Sequence, residues 1–316
     1  MHISTIYCIF APEMRKILII FCLIVFWTIV QAEPLRVVSY NVENLFHPAH
    51  DSLKDDFEWT PEGERRWSYT RYYKKVENIA RVITTIGEWN GVDIIGLQEV
   101  ENDLCIKKLC YTLRPGEYDF VHYESPDIRG IDVAFIYKKA RIDTILTKYI
   151  RIEPPLITRD ILYVCAQVDK KDTIHFFVCH LPSQRGGTQE TEWKRNVVKN
   201  TLQNAIDSIY IKNSKANIIV MGDFNSEPKE DIIGLTNRMK YSKFGTHKYE
   251  GRWTCLDQFY TSPALDTISQ VKIFNPEWIQ ETDEKYLGLK PKRTYNGIKY
   301  QNGYSDHLPI ILYLNK

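Results

Sequence analysis

The residues able to do chemistry stand at the ends of strand-like, largely apolar stretches. Ile218-Ile219-Val220-Met221 leads into Gly222, and Asp223 and Asn225 then follow two apart. Extended backbone puts residues i and i+2 on one face, so an acid and an amide would stand together at the mouth of a sheet. The same figure recurs at Asn41 and Glu43, at Gln98 and Glu99, at His180, at Asp257, and at Asp306-His307. Carboxylates and amides are hard oxygen ligands that suit Mg2+, Mn2+ or Ca2+. No thiolate pair or clustered histidines call for zinc. Histidine, with an ordinary pKa near ~6.5, can give and take protons close to neutral pH. A cation, proton-transfer groups and amide donors are what attack of water on an anionic ester needs: charge cancelled, nucleophile activated, leaving oxygen protonated. Taken singly, each residue reads first as an Asx turn, a helix-end charge or a surface acid. Only the set argues for a site.

Such a set must be positioned by rigid strands. Residues 35–40, 92–97 and 218–221 are apolar enough for buried central strands. Residues 118–123, 132–137, 142–152, 256–260, 268–274 and 308–314 are also strand-like, and 161–168 with 173–179 reads as a hairpin. Val76, Ile79, Ala80, Ile83 and Ile86 recur at spacings of three and four, predicting a helix over 69–86; others are expected up to Leu113 and over 190–211. Residues 47–67 and 275–304 have no clear period and are expected as long surface loops, of a length usually tied to function or mobility. With no repeat and no linker, residues 33–316 read as a single α/β domain around layered sheets.

The 316 residues carry 41 basic and 40 acidic side chains, a net charge of +1. No global field draws in nucleic acid, so such a substrate would need a local basic patch. Hydrophobic content of 44% is ordinary for a well-cored soluble chain. Residues 1–32 differ: Arg15-Lys16 precede an apolar run broken by Thr28, and Val30-Gln31-Ala32 offers a cleavage site. This predicts a signal peptide, hence an exported, periplasmic or extracellular protein with no stable membrane span after processing. Met14 is an alternative start, and a retained anchor is the competing reading. Once Cys8 and Cys22 leave with that segment, five cysteines remain, an odd number with no metal-site spacing and no disulfide framework.

In these motifs the chain resembles the endonuclease/exonuclease/phosphatase family, with its deoxyribonuclease-I-like fold. They are Ser39-Tyr40-Asn41-Val42-Glu43-Asn44, Gly96-Leu97-Gln98-Glu99-Val100, His180-Leu181-Pro182, Gly222-Asp223-Phe224-Asn225, Leu256-Asp257-Gln258-Phe259 and Ser305-Asp306-His307-Leu308-Pro309. All six stand in the family's order. The resemblance implies a four-layer α/β sandwich with two central mixed β-sheets flanked by helices. It implies that Asn41 and Glu99 hold a divalent cation, Mg2+ first, with Asp306 near or bound to it. Asp223 would orient or deprotonate the attacking water, and Asn225 would donate to a phosphoryl oxygen. His307, steered by Asp257, would bind the phosphate or share in activating water. His180 matches a histidine that helps the leaving group in nuclease and sphingomyelinase branches; apurinic-site endonucleases carry tyrosine there.

Other assignments rest on chemistry alone. Glu43 would either bind metal or brace its loop, and Asp132 would either orient His180 or be a turn-end acid. Arg159 and Arg185 would clamp phosphate through a bidentate fork. The leading function is a metal-dependent phosphodiesterase, first of all a nuclease, acting as a monomer on a phosphoester. The alternatives are a phosphatase or phospholipase on inositol phosphates, lipid head groups or nucleotides, and a binding module of this fold without catalysis.

Overall fold

Long apolar strands, more than helices, set the architecture. The computed structural model describes residues 33–228 and 232–315, with Leu35–Leu314 as a compact unit. The signal-peptide reading falls on residues 1–32 and lies outside the described residues.

One six-stranded sheet runs in the order β13-β18-β1-β2-β4-β3. Its strands are β1 (Leu35–Leu45), β2 (Ile94–Val100), β3 (Tyr118–His122), β4 (Asp132–Lys138), β13 (Ser269–Ile273) and β18 (Ile310–Leu314). The other, in the order β5-β6-β7-β8-β12-β9, holds β5 (Ile142–Ile150), β6 (Ile161–Val168), β7 (Asp172–His180), β8 (Asn217–Asp223), β9 (Thr236–Asn237) and β12 (Asp257–Thr261). Each sheet is mixed: β1 and β2 run parallel, as do β7 and β8, and their other partners antiparallel. A parallel pair needs a crossover. Helix α1 (Tyr69–Gly87) lies in the first, before α2 (Asp103–Leu113), and α3 (Thr188–Lys212) makes the second.

The period of two along each strand divides the core into layers. Val37 of β1 faces between the sheets with Ile94, Phe176, Met221 and Phe259. Its neighbour Val38 faces the helices, with Val76, Ile79 and Ile83 of α1 and Ile106 and Leu109 of α2. On the far side, Phe177 and Val220 pack on Val198, Leu202 and Ile206 of α3. The result is the expected four-layer sandwich. The sheets touch at Gly96, where an added Cβ would come within 2.8 Å of Met221 Sδ.

Two expectations are corrected. Residues 47–67 are no plain surface loop: Trp59 and Trp67 are buried, Trp59 stacks on Phe46, and the Trp67 indole donates to the Phe46 carbonyl. Residues 275–304 contain a 3-10 turn (Glu277–Ile279) and two hairpins, β14 (Gln280–Thr282) with β15 (Leu289–Pro291) and β16 (Tyr295–Asn296) with β17 (Lys299–Tyr300). Elements of two or three residues are too short to show a period. β10 (His247–Tyr249) and β11 (Arg252–Thr254) form a further small hairpin. Among the described residues no helix is long and apolar enough to cross a membrane.

Candidate active site

Strand register explains how residues distant in sequence meet. His180 on β7 is opposite Asp223 on β8, and Asp223 is opposite Asp257 on β12. Three polar groups therefore stand at one level across adjacent strands, all buried. Gly222 makes this possible. It has φ 146°, and a Cβ there would lie 1.9 Å from the Cys179 carbonyl oxygen, so a side chain would push β8 off β7 just before Asp223.

The other sheet supplies the facing groups. β1 is paired with β2 at Asn41 and Gln98, after which the register breaks. Glu43, Asn44 and Glu99 take positive φ at this irregularity, a bulge that re-aims side chains at a strand end. The loop before β18 is tied down by Ser305, whose hydroxyl donates to the Asn41 carbonyl at 2.7 Å and accepts from the His307 amide at 3.1 Å.

These groups converge on Asp223 Oδ2. The Asn41 amide donates to it and to Glu99 Oε1, at 3.2 Å each, bridging the sheets. His180 Nε2 lies 3.6 Å from the same oxygen and 3.8 Å from Glu99 Oε1. His307 Nε2 lies 3.8 Å away, and its Nδ1 is held by Asp257 Oδ2 at 2.7 Å. Asp223 Oδ1 accepts from the Asn225 amide at 2.8 Å, so an Asx turn and a place in the site coexist. The Asn225 side chain donates to the Leu181 carbonyl at 2.9 Å, leaving its second amide hydrogen free to serve a ligand.

Burial pushes Asp223 up to about 7, helped by the charges of Asp257 and Glu99 and opposed by His307. Burial would lower His307, but Asp257 and Asp223 outweigh it and hold the imidazole well above its ordinary range. His180 goes the other way: burial, then the charges of Arg159, Arg129 and His307, drive it well below. One histidine is thus cationic and the other neutral, the separation that acid–base work requires. His247, given no catalytic role by the sequence, packs against His307 with ring centroids 4.8 Å apart and planes tilted by 39°, and burial lowers it to about 4.

Glu99, Asn41 and Asp306 are the oxygen donors a hard cation would use, and the fit is good in kind. Burial, with the carboxylates of Asp257 and Glu99 added to it, keeps Asp223 protonating near neutrality, and a positive ion would offset both. Glu99 remains partly open to solvent while the Asn44 amide fixes its Oε2 at 2.9 Å. Asp306 Oδ2 accepts from Arg293 at 2.9 Å.

Four sequence assignments change. Glu43 is engaged by the Thr294 amide at 2.6 Å, Arg293 at 3.3 Å and buried Lys75 at 3.8 Å, so it braces the loop. Asp132 does not orient His180. Its Oδ1 accepts from the Ser125 amide at 3.1 Å and its Oδ2 faces His122. His180 Nδ1 has no hydrogen-bond partner among the described residues. Arg159 points its fork inward, to Asp127 at 3.0 Å and the Leu181 carbonyl at 2.9 Å, and props the turn after His180. Arg185 is exposed on the loop beyond it and is not gathered into the site. The cation that does stand beside Asp306 is Arg293, in a polar segment with no period to place it.

A family model described as endonuclease/exonuclease/phosphatase family matches residues 36–316. The chain belongs to that family. Its members are phosphoric ester hydrolases that use divalent metals. Among solved structures the chain is similar to TDP2 of Caenorhabditis elegans, at 16% identity and TM-score 0.60, covering 90% of this chain and 74% of that one. It is similar to mannosyl-6-phosphatase of Bacteroides thetaiotaomicron, at 16% identity and TM-score 0.58, covering 88% and 98%. The human Nocturnin catalytic domain gives 19% identity and TM-score 0.56, covering 90% and 95%. At these identities the likeness is one of fold. No curated protein is a significant match to the sequence.

Proposed function

We propose that this chain hydrolyses a phosphodiester by metal-assisted attack of water, with nucleic acid the first substrate class to test. The observation carrying this reading is the convergence of Asn41, His180 and His307 on one oxygen of a buried Asp223. Glu99, Asn41 and Asp306 would hold the cation, which when bound acts as a Lewis acid on the phosphoryl group. Mg2+ fits first; Mn2+ and Ca2+ share its ligand chemistry.

The chain's own residues then divide the work. Asp223, raised to about 7, takes the proton from the attacking water, since a base works best near the operating pH. His307, kept cationic by Asp257, hydrogen-bonds a phosphoryl oxygen as charge builds on it. His180, neutral at rest, offers a hydrogen bond from Nε2–H to the leaving oxygen, which takes its proton from solvent water. Asn225 offers its second amide hydrogen to the phosphate, and Arg293 stands at the metal side as a further cation.

A small phosphoester is the second reading, favoured by the net charge of +1 and by the inward turn of Arg159. Long duplexes bind through many phosphate contacts. The test is a panel of plasmid, single-stranded DNA, RNA, sphingomyelin, inositol phosphates and a chromogenic phosphodiester, each with Mg2+, Mn2+, Ca2+ or chelator. Turnover that survives complete metal removal overturns the mechanism. Cleavage of the small esters alone moves the substrate to the second reading. Export is also proposed, on residues 1–32; a mature N-terminus well away from Glu33 would refute it.

A further inference from the structure

A second group of ligating atoms forms where β3 ends and β4 begins. His122 closes β3, Asp132 opens β4, and Glu124 lies in the turn between them. One ligand atom from each lies within 4.8 Å of the others. The His122 and Asp132 side chains are each only 2% exposed. His122 Nε2 and Asp132 Oδ2 face each other at 3.4 Å, and among the described residues neither has a hydrogen-bond partner. On its other nitrogen, His122 is held by Asp103 Oδ1 at 2.9 Å.

This arrangement has a chemical consequence. If Nδ1–H donates to Asp103, the Nε2 lone pair of a neutral imidazole points at a carboxylate lone pair. Two buried lone pairs facing each other need a positive charge between them, a proton or a metal ion. Against burial, Asp132 and Asp103 raise the proton affinity of His122. An ion would therefore compete with a proton there, and the 3.4 Å spacing is the observation that favours the ion. A charge-assisted N–H···O bond closes to about 2.7–2.9 Å. Two ligands on a tetrahedral zinc, with arms of about 2.0–2.1 Å, sit about 3.3–3.4 Å apart. A carboxylate on the far ring nitrogen is also how metal-bound histidines are commonly oriented.

Charge agrees. Lys107 lies 3.5 Å from Asp103 and Lys54 lies 3.3 Å from Glu124, which leaves the Asp132 carboxylate as the uncompensated one. A void of about 10 Å3 lined by Asp132, Asp160, Ser125 and Tyr149 opens beside it, room for about one water.

We propose that His122, Asp132 and Glu124 form a second divalent-cation site, with zinc as the ion that its one-nitrogen, two-carboxylate set fits. The site clasps the β3–β4 hairpin. The loop it closes carries Asp127, which holds Arg159, which in turn donates to the carbonyl of Leu181 next to His180.

The test uses the full chain carrying Glu99→Gln, so that it depends neither on turnover nor on the cation at Glu99. After chelator treatment, calorimetry with ZnCl2 should give one saturable equivalent. Adding His122→Gln should abolish it. Asp103→Asn, at an exposed side chain, should weaken it roughly 10–100-fold. Glu124→Gln, also exposed, covers the case in which the His122 variant fails to fold, and should weaken zinc at least as much. No zinc uptake in Glu99→Gln overturns the proposal. So does uptake undiminished by both Asp103→Asn and Glu124→Gln, and so does a nitrogen NMR spectrum in which His122 is doubly protonated and unmoved by zinc.

Discussion

Replacing Asp223 by Asn should make the protein a poorer catalyst and a more stable fold at alkaline pH. The carboxyl is 2% exposed and burial raises it from 3.8 to about 7. For an acid raised in the fold, the native state holds its proton more tightly than the unfolded chain does. Stability is therefore full below about pH 4, falls as pH rises towards 7, and is flat beyond. A shift of about 3 units is worth about 4 kcal/mol at about 1.36 kcal/mol per unit. Asn removes that cost. It also cannot accept at both oxygens, as Asp223 does from Asn41 and the Asn225 amide, and losing one such bond costs about 1 kcal/mol. The metal-free variant should thus be stabler by roughly 1–3 kcal/mol at pH 8, a gain in melting temperature of several degrees, shrinking to nothing or reversing near pH 4. Divalent cation should narrow the gap by relieving the wild-type carboxylates. In the same preparation kcat/KM should fall ~10²–10⁴-fold, the range for a lost general base. Paired melting curves at the two pH values, beside a rate on the best substrate of the panel, decide it. A variant that is less stable than wild type at pH 8, or one that turns over normally, refutes the reasoning.

Asp257→Asn removes the charge that outweighs burial at His307, so that imidazole should lose its proton at lower pH. The alkaline limb of the kcat/KM profile should then move down and the maximum fall ~10²-fold or more; an unmoved limb would count against the pair. Glu43→Gln leaves buried Lys75 without its ion partner, so melting should drop by an amount corresponding to roughly 3–5 kcal/mol. The cation concentration needed for half-maximal rate should hardly change. If it rises tenfold or more instead, Glu43 is a ligand and not a brace.

The parts of the site that the sequence made legible share one property: each sits at one end of an apolar strand. Asn41, Glu99, His180 and Asp223 follow an apolar stretch and Asp257 and His307 precede one, so they were readable: period-two burial identifies the strand and the polar residue at its end marks the rim. Residues whose partners come from elsewhere were not. Arg159 offers the same guanidinium to a phosphate or to Asp127, and composition does not tell which. Asp132 had an acceptor to give, and the imidazole it faces is that of His122 from the neighbouring strand, not that of His180. His247 opens a three-residue strand and Arg293 lies between two short hairpins, where no period can form.

By itself the sequence determined the layered α/β class and which polar residue types stand at the strand ends. These are local facts, fixed by hydrophobic spacing and side-chain type. The tertiary structure decided which groups face which. Sheet register set His180, Asp223 and Asp257 at one level, and the meeting of the sheets brought Asn41 and Glu99 onto them. The same holds for His122 and Asp132, ten residues apart with no metal-site spacing, which only antiparallel pairing of β3 with β4 turns face to face. Burial and proton affinity depend on those long-range meetings, and a linear pattern of residues does not contain them.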